Sequence, residues 1–190
     1  VENIAIEDRS KAQAIIDRLL GKAASQPQEP KTEQDFLKQE FATLNFGRLN
    51  LDVQLEPVIK QRIDEIQKAM KAEAALSTIF LCGSTLEGLL QDMAAKKPQE
   101  FNQAKSAAKD KDGTVRPFYD WSLESLINVA HEVGLLSLDV KKYSHSLKDF
   151  RNYIHPRQQA VQKFNPDMHT AKISWQVLQA AIANLGGFRK

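Results

Sequence analysis

Residues 79–93 read IFLCGSTLEGLLQDM, and this apolar stretch decides the fold class. It belongs to a longer run from Pro57 in which no proline intervenes before Pro98. The apolar positions of the run are Ile59, Ile63, Ile66, Met70, Ala74, Ile79, Phe80, Leu86, Leu89, Leu90 and Met93. They fall largely on the repeat of an α-helix, so we expect the longest helical run of the chain here.

Four small residues, Cys82 to Thr85, lie in the middle of this run. Glycine costs about 1 kcal/mol relative to alanine inside a helix, so Gly83 needs a structural reason. Close approach of a crossing helix is the favoured interpretation, and a ligand site is the alternative. Cys82 is expected to be a small buried residue. As the single cysteine of the chain it leaves no internal disulfide, which fits a reducing cytoplasm.

The rest of the chain is also predicted to be helical. We expect a helical arm over 1–22, a linker with two prolines over 23–31, and a helical bundle domain over 32–190. The bundle would have about four core helices and one or two additional ones. Expected helix starts are Thr32, Pro98, Asp120 or Ser122, Ser137 and Asn165-Pro166, and expected ends are Ala108, Gly134 and Gly186-Gly187.

The segment 96–113 is polar and carries Lys105, Lys109 and Lys111. A short helix from Pro98 to Ala108 and then a loop are expected. Asp112-Gly113 is typical of a hairpin turn, but its flanks do not alternate as strands would. The lysines are interpreted as a solvated face, with a phosphate-contacting loop as the alternative.

Composition bounds the function only loosely. The 26% of charged residues and the net charge of +2 are typical of an ordinary globular domain. They do not indicate what kind of partner the protein binds. No apolar run approaches the roughly 20 residues that cross a bilayer. The acidic start of the sequence also lacks the features of a secretory signal. We therefore expect a soluble, cytoplasmic protein without a membrane contact.

One segment carries chemistry, Arg151-Asn152-Tyr153-Ile154-His155-Pro156. On a continuous helix Arg151 and His155 would project to the same side. Arginine binds phosphate oxygens in a fork, and histidine exchanges protons near neutral pH, so the pair suits metal-free RNA cleavage. The alternative is that both residues oppose the dipole of a helix end that Pro156 stops or bends.

The region 147–156 resembles the signature of the HEPN superfamily, helical domains of many prokaryotic toxins and antiviral factors, in which Arg, commonly followed by Asn, precedes His. Residues 79–90, 121–127 and 134–136 are similar to landmarks of uncharacterised bacterial HEPN-like proteins. The resemblance covers about Leu51 to Leu185. In this chain three residues separate Arg151 from His155, fewer than in the ribonuclease form of the motif, and each missing residue removes roughly 100° of helical rotation.

The resemblance implies a domain of a defence or toxin system that acts on RNA as a homodimer and requires no cofactor or metal. Arg151, Asn152 and His155 would be its catalytic residues, and an antitoxin or other protein could be a partner. Many HEPN-like domains are non-catalytic, so a module that binds RNA, nucleotide or protein, or a structural dimerisation domain, is the alternative.

Several other side chains are secondary candidates. Glu87 is either a paired or functional carboxylate or an exposed one, His145 could line the same cleft, and Arg157 could add positive charge. Three further groups are expected to have structural or surface positions: His131, His169, and the tryptophans Trp121 and Trp175.

Overall fold

The computed structural model describes residues 46–151, 155–163 and 165–187. Over these ranges the chain is helical and has no β-strand. The helices are α1 (Leu55–Lys71), α2 (Ala75–Lys96), α3 (Pro98–Gln103), α4 (Leu123–Glu132), α5 (Leu138–Arg151), α6 (Pro156–Gln162) and α7 (Met168–Leu185), with 3-10 turns η1 (Phe46–Leu49) and η2 (Phe118–Asp120). The all-α prediction is confirmed. The predicted arm, linker and helix after Thr32 lie outside the described residues.

Helix α2 occupies the centre of the bundle. It packs most extensively against α7 and also contacts α1, α4 and α5. Leu86, Leu89 and Leu90 of α2 are fully buried, as are Val177 and Leu178 of α7. Among the described helices, none combines the length and the apolar character that a bilayer crossing requires.

The small residues of α2 belong to this core. Cys82 and Gly83 are buried, as predicted for Cys82, and burial raises the pKa of the Cys82 thiol well above its usual value. Helix α7 also buries small side chains, including Ala171, Ser174 and Ala181. Small residues on both members of a helix pair favour close packing, although direct approach at Gly83 stays a prediction.

The expected long run from Pro57 is divided into two helices, so that part of the prediction is wrong. Helix α1 ends at Lys71, and Glu73 adopts a left-handed conformation with φ of +54° before α2 begins at Ala75. The Ala74 amide donates to the carbonyl of Ala69 across the turn. The turn lets α1 pack back onto α2, and neither glycine nor proline marks it in the sequence.

Two other boundaries differ from the prediction. Helix α3 ends at Gln103 rather than Ala108, because the backbone of Ala104 is extended and the next two amides, of Lys105 and Ser106, donate to the Glu132 carboxylate. Helix α7 begins at Met168 rather than at Pro166. Asp167 caps it by accepting the Thr170 amide at 2.8 Å.

The turn at Asp112-Gly113 forms as expected. Gly113 has φ of +88°, and a single antiparallel bridge joins Lys109 to Val115 without flanking strands. Ser122, rather than Asp120, caps α4, and Gly134 follows that helix with φ of +76°.

The beginning of α5 is tied to the end of α7. The Ser137 amide and hydroxyl both donate to Asn184 Oδ1, each at 2.9 Å. Asn184 is buried near the end of α7. Two positions 47 residues apart are thereby held together just before α5 starts.

Lys96 clamps the start of the described chain onto the end of α2. Its ammonium donates to the carbonyls of Leu49 and Asn50 and to the carboxylate of Asp92. Asp92 is only 8% exposed, and its other oxygen lies 3.4 Å from the Asp52 amide. One ammonium group therefore donates hydrogen bonds to the carbonyls at the end of η1 and also pairs with a buried carboxylate.

We expect Lys96→Met to lower the free energy of unfolding by about 1–3 kcal/mol, because it leaves the buried Asp92 carboxylate without its cation. Urea unfolding followed by circular dichroism measures this change. Lys97→Met is the matched control, since the pair of Lys97 with Glu100 is exposed and worth below about 1 kcal/mol. Equal decreases in the free energy of unfolding of the two variants would contradict the role of Lys96 in holding η1 against α2.

Candidate functional site at the junction of α5 and α6

The predicted motif lies at a junction between two helices. Helix α5 ends at Arg151, and His155 has an extended backbone with φ of −87° and ψ of 110°. Pro156 is then the first residue of α6. Proline disfavours helical geometry in the residue before it and is favoured at a first helical position. Pro156 therefore starts a helix here, and the extended backbone of His155 agrees with the expectation that helical geometry is interrupted before this proline.

Arg151 and His155 consequently do not share one helical face, which corrects the prediction from their spacing. The structure describes Arg151 as the last residue of α5, and Asn152 lies outside the described residues. The His155 side chain is exposed and forms no capping hydrogen bond with α6. His155 therefore does not occupy the last turn of α5, where the dipole interpretation placed it.

Helix α6 presents mainly exposed side chains beside His155. Arg157, Ala160 and Val161 are exposed, and Val161 retains 74% of its accessible surface. A cation and an imidazole thus lie two positions apart in the sequence, both accessible to a solute. That Arg157 adds positive charge to a site at His155 stays a prediction.

A second polar arrangement joins α4 to α5. His145 Nε2 lies 3.1 Å from Asn128 Oδ1, and the Lys148 ammonium lies 3.3 Å from the Glu124 carboxylate. The pairing of the earlier α4 residue with the later α5 residue shows that the helices are antiparallel. Lys148 also lies 3.0 Å from Asp149. We call Glu124, Asn128, His145, Lys148 and Asp149 the α4–α5 polar seam.

The environment of His145 favours its neutral form. Partial burial of the ring lowers the pKa of His145 below its usual value, and the charge of Lys148 lowers it further. Glu124 and Asp149 oppose this by favouring the charged form, and Lys141 again disfavours it. The ion pairs of Lys148 in turn raise the pKa of that ammonium.

The remaining candidates have the following positions. His131 bonds the Leu136 carbonyl through Nδ1 at 2.9 Å, which confirms a structural role, and His169 is exposed in the first turn of α7 as expected. Trp121 is buried, donates to the Arg116 carbonyl and packs against Phe118, so it is a core anchor. Trp175 packs at the edge of the core.

Glu87 is half-buried on α2. The sequence did not single out Asn128. Asn128 can be recognised only from the tertiary structure, because it pairs with His145 only when α4 and α5 lie side by side. Within the described ranges, no cluster of three or more His, Cys, Asp or Glu side chains is arranged to hold a metal ion.

Comparison with known proteins adds no relative: no protein-family model, curated protein or solved structure matches the chain.

The pKa of His145 predicts a loss of stability in mild acid. The unfolded chain binds a proton at His145 near a pKa of about 6.5, whereas the folded chain binds it only at lower pH. The unfolded state thus holds more protons in this window, so the free energy of unfolding should decrease as the pH falls below about 6.5.

His145→Gln removes this proton uptake and should lose less stability than the wild type between about pH 7.5 and about pH 5.5. Denaturant unfolding at the two pH values measures the difference between the proteins. Equal decreases in the free energy of unfolding of the wild type and the variant would show that His145 has the same pKa in the folded and unfolded chains.

Proposed function

We propose that the chain is a HEPN-like domain of a prokaryotic defence or toxin system that acts on RNA at the junction of α5 and α6. The observation that carries this proposal is the position of His155. Its imidazole is exposed immediately before α6, and Arg157 in the first turn of that helix is exposed as well. The resemblance of residues 147–156 to the HEPN signature supplies the substrate class.

The proposed chemistry is metal-independent cleavage of a phosphodiester. The ribose 2′-oxygen forms a bond to the adjacent phosphorus, the bond from phosphorus to the 5′-oxygen breaks, and a proton moves from the 2′-hydroxyl to a base while the leaving oxygen gains one. His155 would perform one of these transfers. Arg151 would stabilise the charge on the phosphoryl oxygens, and Asn152 would orient the phosphate or His155.

The proposal includes a homodimer, because a site with one arginine and one histidine is small and a two-fold axis would bring a second copy to the same strand. It also places the protein in the cytoplasm, where RNA and an antitoxin or other protein partner would meet it.

A second candidate function is a non-catalytic module that binds RNA, nucleotide or a partner protein. The observation in its favour is the separation of Arg151 from His155 by the end of α5. Two groups on one rigid helix keep a fixed relation, whereas His155 has an extended backbone outside α5. Catalysis depends more strongly than binding on a fixed relation between its groups.

Incubating the purified full chain with single-stranded RNA in excess chelator tests the proposal. We expect cleavage by the wild type and a decrease of about 100-fold or more in rate for His155→Ala, the usual contribution of a general acid or base. His169→Gln on α7 is the control and should cleave at the wild-type rate. An Arg151→Ala variant that fails to fold would indicate a structural arginine instead.

Two results separate the candidates. RNA binding without cleavage by the wild type would reject the nuclease and favour the binding module. Absence of both cleavage and RNA binding would reject action on RNA. Sedimentation of the same sample reports whether the chain is a dimer.

A further inference from the structure

The contact between Asn128 and His145 fixes which ring nitrogen carries the proton. A carboxamide oxygen only accepts hydrogen bonds, so the contact from Nε2 to Asn128 Oδ1 at 3.1 Å requires a hydrogen on Nε2. In a neutral imidazole the other nitrogen, Nδ1, then carries the lone pair. Asn128 therefore selects the tautomer that leaves Nδ1 as an acceptor.

Nδ1 is available to a ligand as far as the described part of the chain shows. No described side chain or carbonyl hydrogen-bonds this nitrogen, and the ring of His145 is only partly buried. The neighbouring charges come from Glu124 on α4 and from Lys141, Lys148 and Asp149 on α5. They include two cations and two carboxylates, so the surroundings of the ring do not impose a net charge on it.

The seam lies on the helix that leads to the proposed RNA site. Arg151 lies six positions after His145, which is about 9 Å along the axis of α5. Six positions also turn by about 240° around the helix, so a nucleic-acid strand that reaches both the junction and the seam passes partly around α5. The chemical group there is an acceptor without positive charge, which suits a hydroxyl donor better than a phosphate.

We propose that His145, held by Asn128, accepts a hydrogen bond at Nδ1 from a ribose 2′-hydroxyl and so determines specificity for RNA over DNA. The 2′-hydroxyl is the group by which a protein distinguishes the two nucleic acids. This inference rests on the proposed action on RNA. It assigns a recognition role to a residue outside the motif and does not require that cleavage takes place.

Nitrogen NMR of the full chain tests the inference, with uridine 3′-monophosphate and its 2′-deoxy counterpart as probes. Neither probe contains a phosphodiester, so cleavage cannot complicate the measurement. We expect the free protein at about pH 7.5 to show His145 neutral with hydrogen on Nε2. The ribonucleotide should shift the His145 Nδ1 resonance, and the deoxynucleotide should bind about five-fold more weakly.

Two variants make the test specific. His145→Gln should bind both nucleotides equally while retaining the wild-type circular dichroism spectrum. Asn128→Ala should keep the imidazole of His145 but remove the hydrogen bond that holds the proton on Nε2. The preference for the ribonucleotide should therefore decrease. His169→Gln is the matched control and should keep the full preference.

The outcomes distinguish this inference from the proposed function. If both nucleotides shift the His155 resonance while His145 does not respond, RNA binding at the junction stands and the recognition role of His145 is wrong. The same conclusion follows if His145 carries its hydrogen on Nδ1. If neither nucleotide shifts any histidine, the proposed RNA site and the inference that rests on it are both overturned.

Discussion

The requirement that several neighbouring helices cover α2 organises the described part of the molecule. Helix α1 buries a single stripe, Ile59, Ile63 and Ile66, whereas α2 buries residues around most of its circumference. A helix of that kind is stable in water only inside a bundle. Each large apolar side chain that is removed from water contributes about 1.5–3 kcal/mol to the stability of the fold. Helices α1, α4, α5 and α7 therefore all pack against α2.

The parts of the fold that follow local rules could be predicted. Ser122 caps α4 through its own hydroxyl, and Gly134 supplies the positive φ after that helix. The turn at Glu73 could not be predicted, because a non-glycine residue takes the left-handed conformation there. The bond from the Ala74 amide to the Ala69 carbonyl and the packing of α1 on α2 offset the strain. The end of α3 also depends on a remote residue, since Glu132 bonds two amides that a longer helix would have used.

The candidate site also combines residues that the sequence indicates with contacts that only the folded structure shows. A histidine and an arginine of chemical interest are visible in the sequence, and His155 is accessible as a functional residue must be. The shared face of Arg151 and His155 was predicted for a continuous helix, and that condition fails because the residue before Pro156 has an extended backbone. The partnership of Asn128 with His145 depends on two helices meeting in a particular register, which no local pattern in either helix specifies.

The bonds from Ser137 to Asn184 have a consequence for how this region can change during evolution. They close a segment of 47 residues at its base, and the junction of α5 and α6 lies inside that segment. These bonds involve no residue of the junction, so one or two residues inserted there leave the bonds themselves unchanged. The spacing between arginine and histidine is therefore free to drift among descendants of this chain without loosening the bundle beneath it.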